Sequence, residues 1–194
     1  MSADPRVHLS QVLDLAESVI EGARPDQATL PTPCRAWDVQ TLVAHLITDT
    51  ERSAVAASGG TPDWTAPVPE VEGDWASAFR AGAAELKAAW QHAGDMSEEL
   101  ELRIGRVPRS FVVRQQISEF AVHSWDLATA TGQRVVFPAE ACEAALVWAR
   151  TALRPEFRGD EASGMAFGPE VEVPDDAPAE DRLAAFFGRY PGSG

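Results

Sequence analysis

The sequence predicts an all-α protein built on an up-and-down four-helix bundle, with short C-terminal helices and at most a minor β hairpin. Four long segments place apolar residues at helical spacing, and patterns typical of β-strands are almost absent. Glycine and proline cluster between these segments, where they end helices and permit turns. Helices without a large sheet bury their apolar faces against one another, so residues 1–194 are expected to form a single helical-bundle domain.

The first two helices are predicted from amphipathic patterns near the N-terminus. The first spans about 7–22, and its apolar face consists of Val12, Leu15, Val19 and Ile20. Asp38 is a good N-cap for the second helix, because its carboxylate can accept a hydrogen bond from a backbone amide of the first turn. That helix is expected to end near Ala57.

A long loop separates the second helix from the third. Residues 58–73 contain too many glycines and prolines for a helix or a central strand, and long loops often cover functional sites. Trp64 in this loop is therefore a candidate cleft cover or partner contact. The third helix is predicted from about Asp74 to His92, and it is followed by a turn at Gly94.

The remaining segments are one β element and two further main helices. Residues 99–108 alternate apolar residues (Leu100, Leu102 and Ile104) with charged ones, which predicts a short strand or half of a hairpin. The fourth helix is predicted over about 111–131 with Gly132 as its C-cap, and the fifth begins at Pro138 and runs to about residue 153. The tail is expected to pack along the outside, with a short helix around 182–187.

Composition excludes several classes of partner. Thirty acidic residues against sixteen basic ones give a net charge of −14, which repels nucleic-acid phosphates and anionic membrane surfaces. No apolar run is long enough to span a membrane and no secretion signal is evident, so a cytoplasmic protein is expected. The two cysteines, Cys34 and Cys142, are too few for a disulfide framework. Monomer and homodimer are both compatible with the sequence.

Two histidines and one glutamate form a candidate metal site. Glu119 and His123 stand four residues apart, so on a helix they share one face, one above the other. His45 on the second helix could join them if the second and fourth helices are neighbours. Two imidazoles and a carboxylate suit Zn²⁺, with Ni²⁺ or Fe²⁺ as alternatives, and leave a coordination position open.

An ordinary polar face is the competing interpretation, and pattern alone favours it. A helical wheel places the polar Gln116, Glu119, His123 and Asp126 opposite the apolar Ile117, Phe120, Ala121 and Ala128. His45 likewise lies beside the apolar stripe of its own helix rather than within it. Such wheels are typical of solvated faces, although two polar arcs that face each other across a bundle would give the same pattern.

Other polar residues have two interpretations each. Arg52 could meet an anionic substrate or thiol carboxylate, or it could be solvated or paired with an acidic residue. Asp126 could orient a ligand imidazole or pair with an arginine, and Asp49 has the same ambiguity. His8 and His92 lie near helix ends and are expected at the surface.

The stretches "TPCRAWDVQTLVAHL" (32–46), "EFAVHSWDLATATGQ" (119–133) and "FGPEVEVPDDAPAEDRLAAFFGRYP" (167–191) resemble a known family. It is the metal-binding domain of the mycothiol-dependent maleylpyruvate isomerases, within the broader DinB-like superfamily. The resemblance implies a DinB-like bundle in which His45, Glu119 and His123 bind a divalent metal.

The resemblance also implies a function, with one departure. The family's isomerases carry a separate C-terminal domain that contributes to the active site, whereas about forty residues follow the fifth helix here, too few for an independent domain. What carries over is a metal that activates a low-molecular-weight thiol such as mycothiol toward an electrophilic substrate, as a transferase or isomerase. The alternatives are a non-catalytic metal- or small-ligand-binding bundle and a helical scaffold with a solvated polar face.

Overall fold

Four long helices form the body of the protein, as the sequence predicts. The structure is a computed structural model, and it describes residues 4–35, 37–102, 105–153, 158–159 and 167–192. The long helices are α1 (Pro5–Gly22), α2 (Val39–Ala57), α3 (Trp75–His92) and α4 (Arg109–Thr131). Their bounds agree with the predicted ones to within two residues, which confirms the all-α prediction. No helix in these ranges is both long and apolar enough to cross a membrane.

Among the described residues, the smaller elements include a hairpin and two shorter helices. Strands β1 (Glu99–Leu102) and β2 (Gly105–Pro108) pair antiparallel, with Leu100 opposite Val107, so the predicted strand is a complete hairpin. Ile104, which belonged to the alternating pattern, lies outside the described residues. Helices α5 (Ala139–Ala152) and α6 (Ala179–Phe186) follow, and a single 3₁₀ turn lies between α1 and α2.

The helix ends follow the predicted capping chemistry with one exception. The Asp38 carboxylate accepts a hydrogen bond from the Thr41 backbone amide at 2.9 Å, which confirms the predicted N-cap of α2. Gly132 ends α4 with φ of 68°, a left-handed conformation that glycine adopts without steric cost. Pro138 is the N-cap of α5 rather than its first helical residue, because its carbonyl already accepts the Cys142 amide.

The bundle brings α2 and α4 together as neighbours. α2 packs against α3 and α4, whereas α1 packs against α3, α4 and α5. The core between them contains the fully buried large side chains of Phe79, Leu86, Trp90, Ile117 and Phe120. This arrangement turns His45 on α2 toward Glu119 on α4.

Three of the four residues in the polar arc of α4 are buried, so its interpretation as a solvated face is wrong for all but Glu119. Gln116, His123 and Asp126 are all buried, and Gln116 accepts a hydrogen bond from the Trp90 indole at 2.7 Å. A helical wheel shows which residues share a face but not what covers that face. Here α5 and α6 pack on α4 in addition to α1 and α2. His8 is buried too, contrary to expectation, whereas His92 is exposed as predicted.

The tail is part of the core rather than an outer covering. α6 packs against α4 and α5, and Phe186 and Phe187 join the buried apolar cluster. The Trp125 indole donates a hydrogen bond to Asp181 at 2.9 Å, which ties α4 to α6. The expectation that this segment packs along the outside is therefore wrong, because its aromatic residues supply core area that four helices alone leave uncovered.

We expect Gly82→Ala to destabilise the protein, because α2 and α3 touch at this glycine. A Cβ at position 82 would lie 2.0 Å from the Thr50 hydroxyl oxygen, which is buried and bonded to the Ile47 carbonyl. Overpacking of this kind costs about 1–3 kcal/mol, against a gain of up to about 1 kcal/mol in helix propensity. Urea denaturation would measure the net loss.

The matched control is the double variant with Thr50→Ala, which removes the hydroxyl oxygen that a Cβ at position 82 would meet at 2.0 Å. Its free energy of unfolding should exceed the value expected from adding the two single effects. A Gly82→Ala protein as stable as the wild type would contradict this close helix contact.

Candidate metal centre

His45, Glu119 and His123 converge between α2 and α4. His45 Nε2 lies 2.9 Å from Glu119 Oε1, and His123 Nε2 lies 3.1 Å from the same oxygen. One donor atom from each of the three side chains lies within 4.8 Å of the other two. The structure thus brings together the three residues that the sequence singled out, although they come from helices more than seventy positions apart in the chain.

The centre is enclosed on one side and open on another. His123 is nearly buried and His45 is mostly covered, whereas the Glu119 side chain remains 33% exposed. Trp37, in the turn before α2, places its ring centroid 4.4 Å from that of His45 and 5.4 Å from that of His123. A small molecule would therefore reach the centre from the side of Glu119.

Trp37 is a residue of the centre that sequence analysis did not single out. Its backbone is fixed in the turn, because its amide donates to the Cys34 carbonyl and its carbonyl accepts from the Thr32 hydroxyl at 2.8 Å. The sequence contained one indication of this role. Trp37 directly precedes the N-cap Asp38, so its large ring lies at the start of the helix that carries His45.

Asp126 fixes the orientation of the His123 ring. Asp126 Oδ2 lies 3.1 Å from His123 Nδ1, and the carboxylate is fully buried. With Nδ1–H as the donor to Asp126, His123 Nε2 faces Glu119. Arg189 also donates to Asp126, from Nε to Oδ1 at 3.0 Å and from Nη2 to Oδ2 at 2.8 Å. The sequence left two roles open for Asp126, acceptor for an imidazole and partner of an arginine. In the structure Asp126 has both roles.

These contacts set the protonation of the centre. Burial lowers the pKa of His123, but the Glu119 charge and the hydrogen bonds to Asp126 and Glu119 outweigh it and raise that pKa to about 9. Burial raises the pKa of Glu119, yet His123 and His45 hold it well below its ordinary value. The pKa of Asp126 is also lowered, since His123 and Arg189 outweigh burial. Without a metal, an anionic Glu119 faces a protonated His123 near neutral pH.

Asp49 and Arg52 do not join the converging donors. Asp49 lies one turn after His45 on α2, where burial and the Glu119 charge raise its pKa to about 8 against the opposing effects of His123 and Arg52. Arg52 donates from Nη2 to the Ala66 carbonyl at 2.7 Å, so it anchors the long loop. Arg52 also acts electrostatically on Asp49 and Asp63, so its interpretation as a partner of acidic residues holds in part. Trp64 in that loop is about half exposed.

The donor set fits a divalent transition metal. Two imidazole nitrogens and one carboxylate oxygen are the ligand types that Zn²⁺ accepts in catalytic sites with three protein ligands. The second nitrogen of His123 is held by a carboxylate, which is the usual support for a metal-binding histidine. The three side chains therefore have the chemistry, the proximity and the orientation to hold one ion.

Comparison with known proteins finds relatives along nearly the whole chain. Two proteins described as uncharacterized, from two strains of Mycobacterium tuberculosis, are each 32% identical over 187 residues, which cover 96% of this chain and 98% of the relative. No solved structure matches significantly. Residues 9–128 match the family described as the mycothiol maleylpyruvate isomerase N-terminal domain, and His45, Glu119 and His123 all lie within that range. The chain belongs to the mycothiol maleylpyruvate isomerase N-terminal domain family.

Proposed function

We propose that His45, Glu119 and His123 bind one divalent metal ion, Zn²⁺ in preference to Ni²⁺ or Fe²⁺. We further propose that the protein uses it to activate a low-molecular-weight thiol, such as mycothiol, toward an electrophilic substrate. The observation that supports this most is the convergence of two imidazoles and one carboxylate in a member of a mycothiol-related family. A bound divalent ion would supply Lewis acidity, which favours the thiolate form of a nearby thiol at neutral pH.

The chain's own residues would hold and limit this site. His123 would offer Nε2, since Asp126 occupies Nδ1, and His45 Nε2 already points toward Glu119. Trp37 packs against both imidazole rings and restricts their movement. The exposed edge of Glu119 would give a thiol and its substrate an approach to the centre. Three protein ligands would leave at least one coordination position for them.

A non-catalytic metal-binding role is the second candidate, and the state of the nearby arginines favours it. Arg52 interacts electrostatically with Asp49 beside the centre, and Arg189 interacts with Asp126 and Glu119. Arg52 is engaged with loop carbonyls, and Arg189 is engaged with Asp126. The Arg189 guanidinium is therefore not available to hold an anionic substrate without rearrangement, and Arg52 has its Nη2 engaged by the loop. Thiol-transfer assays against a panel of electrophiles, with zinc-loaded protein, distinguish turnover from binding alone.

We expect the protein purified without chelators to contain about one zinc ion per chain, and His123→Ala to abolish binding. Removal of one of three ligands leaves too few donors for stable coordination. Elemental analysis measures the content, and far-ultraviolet circular dichroism should show that the helices remain. His92→Ala changes an exposed histidine outside the centre and should keep full zinc content. A His123→Ala protein with undiminished zinc would contradict the proposed ligand set.

Mycothiol should bind the zinc-loaded protein and release protons, because a thiol that coordinates a metal ionises. Titration calorimetry in two buffers of different ionisation enthalpy measures the number of protons released. The metal-free protein should show no such binding. Equal binding with and without zinc, or none to any low-molecular-weight thiol tested, would favour the non-catalytic candidate.

The metal-free protein should lose stability as pH rises from about 6.5 to about 9. Folded His123 keeps its proton up to a pKa of about 9, whereas in the unfolded chain its pKa is near 6.5. Between these values unfolding releases a proton, so the free energy of unfolding falls with increasing pH. Asp49, whose pKa is raised to about 8, contributes in the same direction as pH approaches 8.

Urea midpoints across this pH range measure the effect. His123→Gln should reduce the slope, most clearly between pH 8 and 9 where Asp49 no longer contributes, and the exposed His92→Gln should leave it unchanged. A stability that rises between pH 6.5 and 9 in the wild type would contradict the ion pair between Glu119 and His123.

A further inference from the structure

Arg189, in the C-terminal segment, reaches the candidate centre through its side chain. Arg189 follows α6, is only 9% exposed and places its guanidinium on the buried Asp126. Its position is fixed from its own side as well, because its amide donates to the Ala184 carbonyl at 3.0 Å and its Nη1 donates to the Phe187 carbonyl at 2.9 Å. These two contacts hold Arg189 within its own segment while its guanidinium binds Asp126.

We propose that Arg189 is a positioning residue for the candidate metal centre, which it orients through Asp126. This inference rests on the proposed metal-binding function. Arg189 donates to both carboxylate oxygens, and that fork fixes the plane of the carboxylate. Oδ2, held by Arg189, is also the atom that meets His123 Nδ1. The guanidinium therefore orients the Asp126 carboxylate. That carboxylate in turn accepts from His123 Nδ1, which leaves His123 Nε2 facing Glu119.

The same contacts couple the folding of the tail to the centre. If docking of α6 and Arg189 orients His123 for a metal, then a bound metal stabilises the docked tail to the same extent. Arg189 lies beyond the matched range 9–128. The centre of this protein thus depends on a residue outside its family domain, brought in by a short helix.

The alternative is an ion pair that merely attaches the tail, and Arg182 provides the control for it. Arg182 belongs to the same segment and pairs with Glu143 on α5, away from Asp126. Arg182→Met removes a tail guanidinium without touching the centre. Arg189→Met removes the one that contacts Asp126, and Arg189→Lys keeps a positive charge but loses the fork.

Zinc affinity, measured by competition with a chromogenic chelator at fixed pH, is the first readout. Arg189→Met should weaken binding by about 10–100-fold, the range usual for loss of a residue that supports a metal ligand. Arg189→Lys should recover part of that loss, and Arg182→Met should stay within about twofold of the wild type. Equal losses in Arg182→Met and Arg189→Met would overturn the proposal, because docking alone would then explain them.

The second readout needs no metal and concerns the His123 Nδ1 proton. In metal-free protein labelled with ¹⁵N-histidine, the hydrogen bond to Asp126 should give this proton a downfield NMR signal that exchanges slowly with water. The signal should persist in Arg182→Met and shift or disappear in Arg189→Met. If Arg189→Met does not fold, the His123 proton signal of Arg189→Lys is compared with that of Arg182→Met instead.

The two readouts separate the two proposals. If the wild type binds no zinc, the metal-binding function is wrong, while the proton signal still tests the role of Arg189. A His123 proton signal that is the same in the wild type and in the folded Arg189 variants overturns the positioning role, whatever the zinc result.

Discussion

The structure depends on the Asp126 carboxylate, which is fully buried and must be compensated there. A buried charge is tolerated only when opposite charges and hydrogen bonds replace water. Asp126 obtains them from His123 on its own helix and from Arg189 in the tail. This requirement adds a polar link between the tail and α4 to their apolar contacts, and it fixes the imidazole that faces Glu119.

Local patterns predicted the fold well because helix formation depends mostly on neighbours in sequence. The apolar spacing gave the four long helices, and the N-cap at Asp38 and the C-cap at Gly132 were found from single residues. The burial of most of the α4 polar arc could not be found this way, since it depends on contacts with distant segments, such as the Trp90 indole on Gln116 and the Arg189 guanidinium on Asp126. The inward packing of the tail escaped prediction for the same reason.

The centre itself was predicted in part. The spacing of Glu119 and His123 gives a shared helix face, and the addition of His45 depended on which helices are neighbours. Arg189 lies 63 positions from Asp126, and nothing in its surroundings marks it as a partner of that residue. Trp37 was likewise visible only in three dimensions, through its contacts with both imidazole rings. Long-range polar partners of this kind require the fold before they can be assigned.

The central claim is that two imidazoles and one carboxylate hold one metal ion, and zinc K-edge X-ray absorption on zinc-loaded protein tests it most directly. We expect a first shell of nitrogen and oxygen atoms at about 2.0–2.2 Å, with the outer-shell scattering of two imidazole rings. A sulfur atom at about 2.3 Å would contradict the account, because it would make a cysteine a ligand. Scattering from fewer than two imidazoles would contradict it as well, since His45 and His123 would then not bind together.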